Sequence, residues 1–145
     1  MNLTISILIV TVLLILTVLL HYEGLRTLST HVPKIVSGRR EKLLLIIFGV
    51  IIIHLIEITL YGVGYWFGDV VVDIGDFAGR AVRFRDYVYF SAETYTTLGL
   101  GDIYPIGDLR LIASIESLNG ILMLGWSASF TFIAMQKYWE NDNHK

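Results

Sequence analysis

The sequence predicts an all-α membrane protein with three spanning helices and one short re-entrant helix. Of its 145 residues, 54% are hydrophobic and only 17% are charged, a balance typical of membrane proteins. Three stretches are apolar enough to cross a bilayer, which takes roughly 20 helical residues. They are Leu3–Leu20, Leu43–Phe67 and Leu111–Met135. A net charge of -2 gives no indication of nucleic-acid binding, and the absence of cysteine excludes thiolate chemistry.

The first stretch, Leu3–Leu20, has 18 residues without a charge and is predicted to be a peripheral packing helix. A cleaved signal peptide is the alternative, but no basic residue precedes the stretch and no small-residue cleavage site follows it. The connector 21–42 is predicted to lie in the cytoplasm, because it carries five basic residues against two acidic ones. A short interfacial helix is predicted from Leu25 to His31, and Pro33 and Gly38 interrupt the rest.

Orientation follows from this connector. If it is cytoplasmic, the N-terminus and the segment 68–110 lie outside, and the chain from Gln136 onward lies inside. The outer segment is acidic on balance, which suits a surface that attracts cations. The tail 140–145 is short and polar, and no soluble domain is evident in it.

The segment Asp86–Pro105, between the second and third spans, is the most informative. Tyr87–Thr96 contains few helix breakers, and such a helix would be roughly 15 Å long, about half a bilayer. It must therefore re-enter the membrane, where irregular backbone is tolerated only if protein buries it or water faces it. Gly99 and Gly101 in Thr97–Asp102 can adopt positive φ and turn successive carbonyls to one side. Four such loops around an axis would replace the hydration shell of a monovalent cation.

This segment closely resembles the pore loop of potassium channels, and most of all that of the small bacterial channels with two helices per chain. The usual selectivity filter in that family reads Thr-Val-Gly-Tyr-Gly. Here Thr97, Gly99, Gly101 and Asp102 fall on the filter threonine, the two glycines and the acid that follows them. Glu93 falls on a pore-helix glutamate that, in the bacterial channels, pairs with this acid behind the filter.

The resemblance runs over Tyr89–Trp139 and implies a potassium pore built from four chains. K⁺ would be the permeant ligand, and no other cofactor is expected. The ion sites would be formed by the Thr97 hydroxyl and by four backbone carbonyls, with Gly101 completing the filter. Those carbonyls belong to Thr97, Leu98, Gly99 and Leu100.

The resemblance also assigns supporting residues. Glu93, Asp102 and Tyr89 are predicted to support or gate the filter. If Glu93 and Asp102 are buried together, their like charges leave one of them protonated; two independent solvated acids are the alternative. Gly120 falls near the glycine hinge of the inner helix. Asn119 beside it either lines the cavity or donates an interhelical hydrogen bond.

The sequence departs from the family pattern at two places. Leu100 replaces the aromatic residue whose hydroxyl usually braces the filter, and Tyr89 and Phe90 stand where the bacterial relatives carry tryptophans. One pore loop of some two-pore-domain channels also reads Gly-Leu-Gly, so leucine is compatible with K⁺ conduction. Two alternatives stay open: a weakly selective Na⁺/K⁺ channel, and a non-conducting scaffold or modulatory subunit.

Three ionisable residues within the spans form a predicted polar cluster. His54 and Glu57 are three residues apart and share a helix face, and Glu116 lies near the outer end of the third span. Ionisable groups at this depth are costly and face the protein interior or water. The cluster is either a proton or gating sensor, or a structural group that joins the outer and inner helices.

The predicted organisation has three parts. Residues 1–42 form the N-terminal helix and connector, 43–139 the pore domain, and 140–145 a cytoplasmic tail. Within the pore domain, five segments follow one another: outer helix 43–67, outer loop 68–85, pore helix 86–96, filter 97–102 and inner helix 109–137.

The complete prediction is an all-α fold of three transmembrane helices. A re-entrant pore helix and filter loop lie between the second and third, and four copies assemble as a homotetramer among membrane lipids. The pore loop would face the extracellular or periplasmic side of the plasma (inner) membrane. No motif for nucleotide binding, metal binding or a nucleophile is present, so no enzymatic activity, nucleic-acid partner or soluble partner domain is expected.

Overall fold

The computed structural model of the chain describes residues 2–79 and 83–139. The predicted tail 140–145 and part of the predicted outer loop therefore lie outside the described residues. Helices account for most of this part of the chain: α1 (Asn2–Ile35), α2 (Arg39–Trp66), α3 (Phe84–Tyr95) and α4 (Leu109–Trp139). A π-helical turn, Phe67–Val71, continues α2, and two short strands are present, β1 (Gly75–Gly79) and β2 (Ile103–Gly107).

Three of these helices are long and apolar enough to cross a membrane: α1, α2 with its π-helical turn, and α4. The predicted helical membrane fold is confirmed at this level. The strands are a feature that the all-α prediction missed. α3 has 12 residues and packs between α2 and α4.

The first helix is longer than predicted. α1 runs without interruption to Ile35, so most of the predicted connector 21–42 is helical, and only residues 36–38 join α1 to α2. The predicted end at Leu20 is therefore wrong, and so is a separate helix from Leu25 to His31.

Two features explain why α1 continues through charged residues. Glu23 and Arg26 lie on its exposed side, where they pair one turn apart at 3.3 Å, so they do not oppose the helix. The opposite side is a buried stripe with steps of three or four residues and a last step of seven, which packs against α2 and α4. The stripe consists of Ser6, Val10, Leu13, Thr17, His21, Leu25 and Val32.

Aromatic rings position α3 in the bundle. Phe90 of α3 lies edge-to-face with Tyr65 of α2, with ring centroids 5.1 Å apart, and with Phe77 of β1 at 5.0 Å. Such pairs contribute about 0.5–1.5 kcal/mol each beyond the burial of their surface. At its N-terminus, the Asp86 side chain accepts a hydrogen bond from Arg83 N at 2.8 Å, which fixes where α3 begins.

The two strands form an antiparallel ribbon whose register runs from Gly75 opposite Gly107 to Gly79 opposite Ile103. Pro105 is tolerated in β2 because a two-stranded ribbon consists only of edge strands. The ribbon joins the segment before α3 to the residues that leave the predicted filter. It therefore holds both ends of the short helix and its loop near one another.

Candidate functional site

The predicted filter segment, Thr97–Asp102, follows α3 closely, and every second residue from Thr97 to Gly101 has a positive φ. Thr97, Gly99 and Gly101 have φ of 59°, 58° and 77°, whereas the residues between them do not have positive φ. An alternation of this kind points successive carbonyls to the same side, which an ordinary strand does not do. A Cβ atom at Gly99 or Gly101 would meet nothing within 4 Å, so the backbone angle and not the space calls for glycine.

Glu93 holds this segment at two points. Its backbone carbonyl accepts a hydrogen bond from Leu98 N at 2.8 Å, and its Oε2 accepts one from Leu100 N at 3.1 Å. The other carboxylate oxygen, Oε1, is buried and has no hydrogen-bond partner among the described residues. Glu93 therefore contacts the backbone of the predicted filter segment itself, a contact that the sequence did not predict.

Tyr89 lies between the two predicted supporting acids. Its hydroxyl donates to Asp102 Oδ1 at 3.3 Å. A hydrogen bond to Glu93, together with desolvation and the charge of Asp102, raises the pKa of Tyr89 to about 12. The phenol therefore stays protonated at neutral pH and donates. Direct sharing of one proton between Glu93 and Asp102 stays a prediction.

A single chain leaves the filter segment open on one side. The side chains of Leu98 and Leu100 are 64% and 62% exposed. Beside them runs a groove of about 350 Å³, which residues such as Glu93, Thr97 and Ser117 line.

The inner helix α4 approaches the end of α3 at Gly120. A Cβ atom there would lie 2.1 Å from Tyr95 O, so glycine is needed for this close approach. One turn earlier, Ser117 Oγ donates to Thr94 O at 3.2 Å and joins the same two helices. Contact with α3 is therefore a role that the hinge prediction for Gly120 did not include, and the hinge itself stays a prediction.

The region just described coincides with a known family. The family model "Ion channel" matches residues 42–137, which run from the first turn of α2 almost to the end of α4. This chain belongs to the ion channel family. No curated protein and no solved structure matches the chain significantly.

The family match confirms the predicted resemblance to the potassium-channel pore family, whereas the bacterial two-helix subtype stays a prediction. With its three long apolar helices, the channel is an integral membrane protein. Its family is not a class of enzymes. α1 lies wholly outside the matched region, yet it packs against both helices of the channel domain that span the membrane.

Asn119 of the channel connects α4 to α1 and α2. Its side chain is buried, and Nδ2 donates to Thr17 Oγ1 at 2.9 Å and to Tyr61 OH at 3.2 Å. Of the two predicted roles, the interhelical hydrogen bond is the correct one. A cavity-lining position is wrong, because α1 covers this side of α4.

The predicted cluster of His54, Glu57 and Glu116 is divided into two groups. The first, named here the His–Glu cluster, joins all four helices and contains His21, His54, Glu57, Tyr95 and Ser127. The second, the Glu116 group, joins α2, α3 and α4 and contains Tyr65, Ser91 and Glu116.

In the His–Glu cluster, three side chains surround the buried carboxyl of Glu57. His21 Nδ1 lies 3.0 Å from Oε1, His54 Nδ1 lies 3.2 Å from Oε2, and Tyr95 OH lies 2.5 Å from Oε2. Both imidazole rings reach Ser127 Oγ with Nε2, at 3.0 Å for His54 and 3.2 Å for His21. The ligand atoms of the two histidines and Glu57 lie within 4.8 Å of one another, close enough for a metal ion, but hydrogen bonds already engage them.

His21 is the functional candidate that the sequence analysis missed. It was assigned to a cytoplasmic connector, but its side chain is fully buried and its ring centroid lies 5.3 Å from that of His54 and from that of Trp126. The available signal was its spacing of four residues from Thr17, which continues a polar stripe along α1.

The Glu116 group places a buried carboxyl against the hydroxyl groups of Ser91 and Tyr65. Ser91 Oγ lies 2.8 Å from Ile58 O and 2.5 Å from Glu116 Oε1, yet its hydroxyl has a single proton for these two oxygens. If Ser91 donates to Ile58 O, Oε1 must carry a proton and donate to Ser91. Tyr65 OH donates to the other oxygen, Oε2. In that arrangement Glu116 is a neutral acid that joins three helices; if Ser91 donates to Oε1 instead, Glu116 joins the same helices as a carboxylate.

Proposed function

We propose that the channel conducts K⁺ passively through a filter formed by Thr97–Gly101 from four identical chains. The observation that carries this proposal is the alternating φ of Thr97, Gly99 and Gly101 directly after α3. Four such segments around an axis would present rings of backbone carbonyls, and the Thr97 hydroxyl, in place of the hydration shell of K⁺. α3 would be the re-entrant pore helix, with the negative end of its dipole toward the ion.

The open side of the segment supports a tetramer. Each chain contributes one filter segment, and a closed ring of carbonyls requires several chains around one axis. The exposed Leu98 and Leu100 side chains and the groove next to them offer apolar surface that a neighbouring chain would cover. A C4 homotetramer satisfies both requirements.

The charge distribution supports one orientation. Lys34, Arg39, Arg40 and Lys42 cluster around the short link between α1 and α2, which favours a cytoplasmic position for this link. The exit of the filter at Asp102 would then face the extracellular or periplasmic side of the plasma (inner) membrane.

Cation uptake into liposomes that contain the purified channel tests this function. We expect Rb⁺ and K⁺ to enter faster than Na⁺ under matched gradients, because the carbonyl rings suit the larger ions. Equal rates for Na⁺ and K⁺ would instead support a weakly selective cation channel. Absence of uptake for all three ions would support a non-conducting scaffold or modulatory subunit.

One observation favours the weakly selective channel as a second candidate. Leu100 has no hydroxyl with which to brace the filter, and its side chain is largely exposed in one chain. If this missing brace lowers selectivity, Leu100→Tyr will raise the preference for K⁺ over Na⁺, provided that Tyr89 leaves room for the ring. Unchanged or lower selectivity in this variant would mean that other contacts, such as Leu100 N with Glu93, hold the filter.

A further inference from the structure

The protons of the His–Glu cluster can be counted from its hydrogen bonds. Glu57 receives contacts from His21 Nδ1, His54 Nδ1 and Tyr95 OH. His54 Nδ1 also lies 3.0 Å from Tyr95 OH. Glu57 is taken as the ionised acceptor, because the Tyr95 hydroxyl donates to its Oε2 at 2.5 Å. The single proton of Tyr95 is then used, so His21 Nδ1 and His54 Nδ1 face only acceptors and each carries a proton.

The hydrogen bonds of Ser127 determine how many protons the two Nε2 atoms carry. Its Oγ lies within hydrogen-bond distance of Nε2 of both His21 and His54. A hydroxyl donates only one proton, so it can satisfy only one of these two nitrogens. If both rings were neutral, the other Nε2 would face the Ser127 oxygen with a lone pair on each atom and no proton between them.

We propose that His21 and His54 share one additional proton through Ser127, so that one ring at a time is an imidazolium. The charged ring donates Nε2–H to Ser127 Oγ, and the Ser127 hydroxyl donates to Nε2 of the other ring. When the first proton moves to Oγ and the hydroxyl proton moves on, the two rings exchange roles and the total is unchanged. The imidazolium balances the Glu57 carboxylate, as a charge pair buried among helices requires.

Groups from α4 and α2 surround the cluster. From α4, the Trp126 ring packs on His21, whereas the carboxyl of Glu116 bonds Ser91 and Tyr65. From α2, the Tyr61 hydroxyl accepts from Asn119. Within the cluster itself, the shared proton and its countercharge are assigned to the histidine pair and Glu57.

Tyr95 connects the cluster to the filter. It is the last residue of α3, and its hydroxyl donates to Glu57. Its ring lies edge-to-face with the His54 ring, with centroids 5.7 Å apart. Its carbonyl oxygen lies close to Gly120 of α4. Loss of the shared proton leaves the Glu57 carboxylate without a countercharge and loosens Tyr95, two residues before Thr97. This step rests on the proposed function: the shared proton favours the conducting geometry.

Nitrogen-15 spectra of the histidine-labelled full channel in lipid nanodiscs count the protons without any flux measurement. We expect three protonated nitrogens among the four of His21 and His54, with the two Nε2 signals averaged by exchange. His21→Asn and His54→Asn assign the signals, and the exposed His31 serves as an internal reference. Two protonated nitrogens, or a divalent metal retained by the protein after chelation, would overturn the shared proton.

Ser127→Ala is the variant that separates this proposal from a merely structural role. It removes the bridge between the rings, so both should become neutral while the fold is kept. Loss of a hydrogen bond to a charged group changes an equilibrium by roughly tenfold or more, and K⁺ flux should fall accordingly. Ser129→Ala is the matched control, since Ser129 is exposed on the same helix and bonds only Gly125 O at 3.0 Å.

The pH profile tests the link to the filter. Wild-type flux should fall as rising pH removes the third ring proton, and Ser127→Ala should lack this transition. The same pH profile in both proteins would overturn the link between cluster and filter. A channel without K⁺ flux but with three protonated ring nitrogens would contradict the proposed function and leave the shared proton standing.

Discussion

Glycine is needed at two positions of this channel for different physical reasons. At Gly99 the backbone has φ of 58° and a Cβ atom would find open space. At Gly120 the backbone is helical, but a Cβ atom would collide with Tyr95 O. Alanine at Gly99 should therefore perturb the backbone of the predicted filter. Alanine at Gly120 should instead perturb the packing of α4 against α3.

Gly99→Ala is expected to abolish K⁺ flux. A left-handed residue with a Cβ atom costs about 1–2 kcal/mol, and a tetramer carries this strain four times around one ion path. Gly125→Ala is the matched control, because Gly125 lies in α4 with open space around it and no positive φ. Uptake of K⁺ into liposomes by both variants is the measurement. Undiminished flux in Gly99→Ala would remove this residue from the filter.

Glu93 can be tested with two variants that differ in one acceptor. Glu93→Gln keeps a carbonyl oxygen for Leu100 N, whereas Glu93→Ala leaves this amide without its partner, at a cost of about 1–3 kcal/mol. We expect the reversal potential to show lower K⁺ selectivity in Glu93→Ala and wild-type selectivity in Glu93→Gln.

The same pair of variants tests the predicted proton shared by Glu93 and Asp102. Glutamine cannot titrate, so a flattened response to external pH in Glu93→Gln would assign a pH sensor to Glu93. A full pH response in Glu93→Gln, absent in Ser127→Ala, would assign it to the His–Glu cluster. If Glu93→Gln loses selectivity as fully as Glu93→Ala, the hydrogen bond to Leu100 N is not what holds the filter.

Among the structural elements, the sequence predicted those that depend on long apolar runs. α2 and α4 follow from such runs, and α3 from a short helical stretch before a glycine-containing loop. The sequence misplaces the end of α1 because charged residues suggest a membrane boundary, although they lie on the exposed side of a helix that continues to Ile35. The β1–β2 ribbon was missed because two five-residue strands rich in glycine have no periodic signal.

The candidate site was predictable to the extent that it is local in sequence. The alternating glycines place the predicted filter residues within a few positions of one another, so a motif is enough to propose them. His21, by contrast, bonds Glu57 across 36 positions and Ser127 across 106. The division of Glu57 and Glu116 into two groups likewise depends on partners that are distant in sequence. Tyr95 bonds Glu57, whereas Tyr65 and Ser91 bond Glu116. Such contacts are set by packing and not by spacing.

Glu116 provides a test at the scale of helix packing. Glu116→Gln can donate to Ser91 and accept from Tyr65, as the protonated acid does, whereas Glu116→Ala loses both contacts. We expect the melting temperature in detergent to be near wild type for glutamine and clearly lower for alanine, with a loss of about 1–3 kcal/mol per unsatisfied buried group.

Glu57→Gln is the contrasting variant, because Glu57 accepts from three donors and serves as the countercharge of the histidine pair. It should destabilise the channel even though it differs from the native residue only by an amide group. For the Glu116 test, an equal fall in melting temperature for Glu116→Gln and Glu116→Ala would mean that Glu116 is ionised.

Across the whole molecule, the His–Glu cluster joins α1, α2 and α4 to Tyr95 at the end of α3. α1 contributes His21 and Thr17 to contacts with the channel domain, although it lies entirely outside the residues that match the family. The remaining exposed surface around Leu98 and Leu100 is accounted for by neighbouring chains in the proposed tetramer. In this proposal the ion path is formed by the assembly, whereas the shared proton lies within each chain.

The most direct test of this account is the reversal potential of the purified channel in a planar bilayer, with K⁺ on one side and Na⁺ on the other. The alternating backbone of Thr97, Gly99 and Gly101 predicts a current that reverses close to the K⁺ equilibrium potential. A current that reverses near zero, or no current at all, would contradict a potassium-selective filter.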